Sequence, residues 1–121
     1  MTPKERLPIL RSTLAILRDP DHWTKHFFCS KDGLYPCDIG EGDKYCILGA
    51  TRAALVAHGR SFRTAADFLA FLNDSGLLPD PVSGGALFTH LTEFNDDPLT
   101  THADILNYLT TAIAHLEATN A

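Results

Sequence analysis

Residues 43–59, Asp43-Lys44-Tyr45-Cys46-Ile47-Leu48-Gly49-Ala50-Thr51-Arg52-Ala53-Ala54-Leu55-Val56-Ala57-His58-Gly59, decide how this chain folds. Asp43 is suited to cap a helix N-terminus and Gly59 to close one, so the stretch predicts a helix from Asp43 to His58. Gly49, Ala50, Ala53, Ala54 and Ala57 make that helix slim, and a slim helix lets neighbouring helices approach closely. It is therefore expected at the centre of the domain.

Upstream lies the least helical part of the chain. The aromatic run His26-Phe27-Phe28-Cys29, the turn Ser30-Lys31-Asp32-Gly33 and the segment Leu34-Tyr35-Pro36-Cys37 read as a short hairpin near residues 26–37. This is expected to be the only sheet. Before it, Thr2-Pro3-Lys4-Glu5 reads as a capping box with proline in the first helical position. The first helix then runs to about Arg18, with Leu10, Leu14 and Leu17 on one face, unless Pro8 delays its start. Asp19-Pro20 ends it, because a residue before proline avoids helical backbone. Trp23, the single tryptophan, is expected to anchor this helix to the hairpin with its indole N–H bonded locally.

Downstream, a third helix is expected from Thr64 to Ser75, a Pro- and Gly-containing connection from Leu77 to Gly85, and a short helix from Ala86 to Glu93. The last helix runs from His102 to Ala118. Thr101 is its N-cap, Asp104 favours its positive end, and Ile105, Leu109, Ala112, Ile113 and Leu116 form its apolar stripe. The fold class is thus mainly α: one domain over residues 1–121, a small bundle of four to five helices with one short β-hairpin.

A chain of 121 residues, 45% apolar, is long enough to bury a core without staples. It contains no apolar run of spanning length and no signal-peptide pattern at its N-terminus, so a cytoplasmic location is expected. Cys29, Cys37 and Cys46 are an odd set, read as free thiols. The charge is divided along the chain. All ten Lys and Arg residues lie at or before Arg63, whereas Asp67, Asp74, Asp80, Glu93, Asp96, Asp97, Asp104 and Glu117 follow it. The first 63 residues carry a net charge of +3 and the rest −8. This argues against binding a nucleic-acid backbone and suits a basic protein partner met by Asp67, Asp74, Asp80, Asp96 and Asp97. A solvated acidic surface that only aids solubility explains the same split.

Three constellations bear on chemistry. His26, Cys29, Cys37 and Cys46 are the residue types of a tetrahedral zinc site, but their spacing has no Cys-x-x-Cys knuckle; buried thiols account for them as well, and no cofactor is expected. Cys46, near a helix N-terminus after a glycine-containing loop, has the placement of a cysteine nucleophile, with His90, His102 or His115 as distant imidazoles. No strand follows it to carry the partner histidine of a papain-like fold, and its Ala50 and Ala53 neighbours favour a small buried side chain. Phe94-Asn95-Asp96-Asp97-Pro98 has the oxygens of a cation loop, but too few at alternating positions; a turn and an N-cap explain it more simply. Gly84-Gly85 is too short for a phosphate loop.

Trp23 after a helix, Cys46-Ile47-Leu48-Gly49-Ala50 opening an alanine-rich helix, Phe94-Asn95-Asp96 before a Thr-x-x-Asp cap, and Ala112-Ile113 in a final helix occur here in one order. The pattern resembles a family of small bacterial and phage proteins known only as a domain of unknown function. It covers most of the chain, which departs from it through the extra aromatics and cysteines of residues 26–37. The resemblance implies that Trp23, Cys46, Gly49, Asn95 and Asp96 are shared framework or site residues, and it supplies no activity or ligand. By analogy it implies a phage or mobile-element accessory protein, such as an acidic inhibitor of a host defence protein. The reading is therefore a small non-enzymatic protein-binding module with an acidic surface. The alternative is a cysteine-centred enzyme or zinc-binding domain built around Cys46.

Overall fold

The computed structural model describes residues 3–27, 29–31, 35–36, 43–60 and 91–119. Helix α1 spans Pro3–Leu17 and keeps Pro8 inside it. Pro8 is exposed in the second turn, so the carbonyl four residues back loses its helical donor where water can replace it. Leu7, Ile9, Leu10, Thr13 and Leu17 are buried, Leu14 and Ile16 partly so, and Thr13 returns its hydroxyl to the Ile9 carbonyl at 2.9 Å. Asp19-Pro20 ends the helix as expected, and Asp19 then caps a 3-10 turn, Pro20–His22, by accepting from the Asp21 N–H at 2.9 Å.

The hairpin is present as strands β1, Cys29–Lys31, and β2, Tyr35–Pro36, paired antiparallel with Lys31 opposite Tyr35. It is not the whole sheet. A third strand, β3, Lys44–Tyr45, pairs antiparallel with the other edge of β1, Cys29 opposite Tyr45, giving the order β2-β1-β3. Trp23 adds a parallel bridge to Tyr45, with the Thr24 N–H on the Tyr45 carbonyl at 3.0 Å.

This third strand corrects the start of the central helix. Lys44 and Tyr45, expected in its first turn, are held extended by β1, and Asp43 donates its N–H to the Ser30 carbonyl at 3.1 Å instead of capping. Helix α2 spans Ile47–Ala57 with Cys46 as N-cap. Its C-terminus is a Schellman motif: Gly59 adopts φ +72°, the Arg60 N–H reaches the Leu55 carbonyl at 2.9 Å, and the Gly59 N–H reaches Val56 at 3.0 Å. The helix is as central as its composition suggested. Ile47, Leu48, Gly49, Ala50, Thr51, Ala54 and Leu55 are all buried.

Residues 91–96 are helical, running past the expected end at Glu93. The final helix, α3, spans His102–Thr119 and buries the expected stripe of Ile105, Leu109, Ala112, Ile113 and Leu116. Thr101 accepts from the Asp104 N–H at 3.2 Å while Asp104 accepts from the Thr101 N–H at 2.9 Å, a reciprocal cap. The chain is a mainly α small domain, its core formed where α1, α2, α3 and Leu91 meet. The expected helix at 64–75, the connection at 77–85 and the hairpin turn at Asp32-Gly33 lie outside the described residues.

Candidate functional site

Asn95 lies in the last turn of the helical segment 91–96 and is 1% exposed. A buried amide needs a partner for each of its donors and for its oxygen. Asn95 finds them on three elements. Its Oδ1 accepts from the Trp23 indole Nε1–H at 2.9 Å and from the Ile47 N–H at 3.0 Å. Its Nδ2 donates to the Thr24 carbonyl at 3.2 Å and to Asp96 Oδ1 at 2.9 Å. One side chain therefore ties the post-helical segment at Trp23, the N-terminus of α2 and the end of residues 91–96. The Ile47 N–H is one of the donors that a helix start leaves without an internal partner.

The Trp23 indole is thus bonded across 72 positions and not locally, contrary to the sequence expectation. A parallel backbone bridge to Tyr45 holds the Trp23 main chain against β3, and its ring lies 6.0 Å from the His102 ring with the indole N–H on the Asn95 amide.

The segment after Trp23 is clamped to the same place. The His26 N–H donates to Asp96 Oδ1 at 2.8 Å, and the backbone turns through φ +73° at His26, a value uncommon for a residue with a Cβ. The His26 ring lies with Nδ1 3.7 Å from Asp96 Oδ2. Lys25 donates Nζ to the Asp97 carbonyl at 2.5 Å and sits over the Trp23 ring at 5.6 Å. His26, Phe27, Cys46, Leu48, Thr92, Asn95 and Asp96 line a recess of about 70 Å³ between these elements.

Cys46 shows how two opposing effects balance. A helix N-terminus favours a thiolate, and the Gly49 N–H does approach Sγ at 3.4 Å. Burial acts the other way and is larger: the thiol, 7% exposed, is pushed from 9.0 up to about 11, with the Asp96 charge adding to the rise. At neutral pH Cys46 is a protonated helix cap, and its raised pKa gives a nucleophile no support. Of its expected distant imidazoles, His102 is engaged elsewhere. His102 donates Nε2–H to the Leu17 carbonyl at 2.5 Å, and His90 lies outside the described residues. The imidazole that lines the same recess as Cys46 is His26, considered above only as a metal ligand.

Of the zinc candidates, His26 and Cys46 share the recess, Cys29 is buried on β1, and Cys37 lies outside the described residues. Among the described residues no three His, Cys, Asp or Glu side chains are grouped to hold a metal ion. Of the acidic candidates, Asp67, Asp74 and Asp80 lie outside the described residues. Asp96 is engaged with Asn95 and His26; Asp97 Oδ1 accepts from the Leu99 N–H at 2.8 Å in a turn at Pro98-Leu99, so Asp97 is not the expected helix N-cap, and Asn95, read as a turn residue, is helical. Asp104 is held below the usual carboxylate range by hydrogen bonds from Thr101, and Glu117 pairs with Arg11 at 2.9 Å. Phe27, Leu48 and Thr92 have no chemical signature in the sequence, and only their convergence with Asp96 marks them.

Four of the residues implied by the resemblance, Trp23, Cys46, Asn95 and Asp96, converge here, and Gly49 donates to Cys46. The sequence model of DUF6197, described as a family of unknown function, matches residues 1–115. No curated protein matches the chain. No solved structure matches it either. No helix among the described residues is long and apolar enough to cross a membrane.

Proposed function

The chain belongs to DUF6197, a family of unknown function, and we propose that it is a non-enzymatic protein-binding module whose acidic surface meets a basic protein partner. The observation that carries the reading is the division of charge: no Lys or Arg follows Arg63, and eight carboxylates do. Such a half has no cations of its own to pair with and steers a basic partner electrostatically. Asp67, Asp74, Asp80, Asp96 and Asp97 are its proposed contact residues. Glu93 and Asp97 are exposed, whereas Asp104 and Glu117 are engaged within the chain and contribute less.

A second consideration favours binding over catalysis. The cysteine best placed to be a nucleophile is buried, protonated and used as a cap. The Asn95 amide beside it is saturated by structural bonds. In its narrower form the proposal makes the partner a host defence protein and the chain its phage- or mobile-element-encoded inhibitor; that form rests on the family resemblance alone.

The test is charge reversal at Asp67 and Asp74, which lie seven residues apart and would share one face of a helix. Binding of a 20-residue polylysine by the Asp67→Lys/Asp74→Lys variant should fall at least tenfold at low salt, with far-ultraviolet circular dichroism unchanged. In the wild type that binding should weaken steeply with added salt. Undiminished binding by a folded double variant would overturn the reading.

A further inference from the structure

Asp96 is used unequally. Oδ1 accepts from the His26 N–H at 2.8 Å and from Asn95 Nδ2 at 2.9 Å, whereas among the described residues Oδ2 has only His26 Nδ1, at 3.7 Å. The carboxylate is 22% exposed and lines the recess together with Phe27, Leu48 and Thr92. Lys25, next to His26 in the chain, does not neutralise it: its Nζ is committed to the Asp97 carbonyl and the Trp23 ring. Among the described residues no Lys or Arg forms an ion pair with Asp96. Asp96 is thus a half-satisfied carboxylate at an apolar-walled recess, in the half of the chain that has no cation.

We infer that this recess is an anchor for one lysine side chain of a basic protein partner, its methylenes against Phe27 and its ammonium on Asp96 Oδ2. The inference rests on the protein-binding reading above and gives that reading a specific contact. Size selects a side chain over a metabolite, because about 70 Å³ is well below the roughly 300–1,000 Å³ of small-molecule pockets. Oxygen usage selects lysine over arginine. A guanidinium binds a carboxylate best through both oxygens, and Oδ1 already accepts two bonds; an ammonium needs only one oxygen.

The probe is n-butylammonium chloride, titrated into the isotope-labelled full chain and followed by amide chemical shifts. Saturable shifts are expected at Phe27, Leu48, Thr92 and Asp96, absent with n-butanol or matched sodium chloride and at least threefold weaker in affinity with n-butylguanidinium. Asp96→Asn should weaken binding at least tenfold. Thr92→Leu fills the recess without touching the carboxylate and should abolish binding, which covers the case in which Asp96→Asn unfolds. Shifts equal to those with n-butanol, or binding retained in Thr92→Leu, would overturn the anchor. The two proposals fail separately. No butylammonium binding by the wild type, with polylysine binding lost in Asp67→Lys/Asp74→Lys, removes the anchor and leaves the acidic surface. Butylammonium binding that Thr92→Leu abolishes, with polylysine binding undiminished in the charge-reversed protein, supports the anchor and removes the wider acidic surface.

Discussion

Replacing Asn95 by alanine removes one small side chain and four hydrogen bonds. The cost is dominated by what is left behind. The Ile47 N–H is buried at the start of α2, and the Trp23 Nε1–H points into the same half-buried junction. Each orphaned buried donor costs about 1–3 kcal/mol, so the two together cost about 2–6 kcal/mol before any cavity term. The Thr24 carbonyl and Asp96 add less, since Asp96 is partly solvated and keeps its bond from His26. An expected loss of about 4 kcal/mol lowers the melting temperature of a domain this size by roughly 10–20 °C. Urea unfolding followed by fluorescence reads the junction directly, because Trp23 is the single tryptophan. Trp23→Phe sharpens the test by deleting the indole donor while keeping an aromatic ring. In the double variant Asn95 and Trp23 should be coupled, the combined loss falling short of the sum by about 1–2 kcal/mol. A loss under 1 kcal/mol for Asn95→Ala, or strict additivity with Trp23→Phe, would refute the claim that this amide holds three elements together.

Two further outcomes follow from the ends of α2. Burial raises the Cys46 thiol from 9.0 to about 11, so its stabilising contribution is complete below pH 9 and is lost as pH rises to 11. Unfolding titrations should show about 2–3 kcal/mol of alkaline destabilisation that Cys46→Ala removes, and iodoacetamide at pH 8 should label native Cys46 far more slowly than the unfolded chain. At the other end, a Cβ on Gly59 meets nothing within 4 Å, yet the backbone there has φ +72°. Gly59→Ala should therefore cost about 1–2 kcal/mol through conformation alone, measured by chemical denaturation, and a neutral result would contradict the Schellman geometry.

The helices were legible wherever local signals agreed with packing. Thr101 and Asp104 cap α3 as their spacing implies, and all five apolar residues of its stripe are buried. The site was legible only in outline. Trp23, Cys46, Asn95 and Asp96 stood out by their order along the chain, but that order gave Asn95 no role beyond a turn. Its role as a hub depends on partners 71, 72 and 48 positions away, and no local pattern encodes such contacts.

By itself the sequence determined the helical class, the hairpin, the slim central helix and the split of charge. These follow from periodicity, capping residues and composition, which act over a few positions at a time. Tertiary structure alone decided where α2 begins, because β1 offered Lys44 and Tyr45 a pairing edge and so passed the cap from Asp43 to Cys46. It also decided the state of the Cys46 thiol. A helix N-terminus favours the thiolate, but packing removed the water needed to stabilise it, and desolvation outweighed the helix.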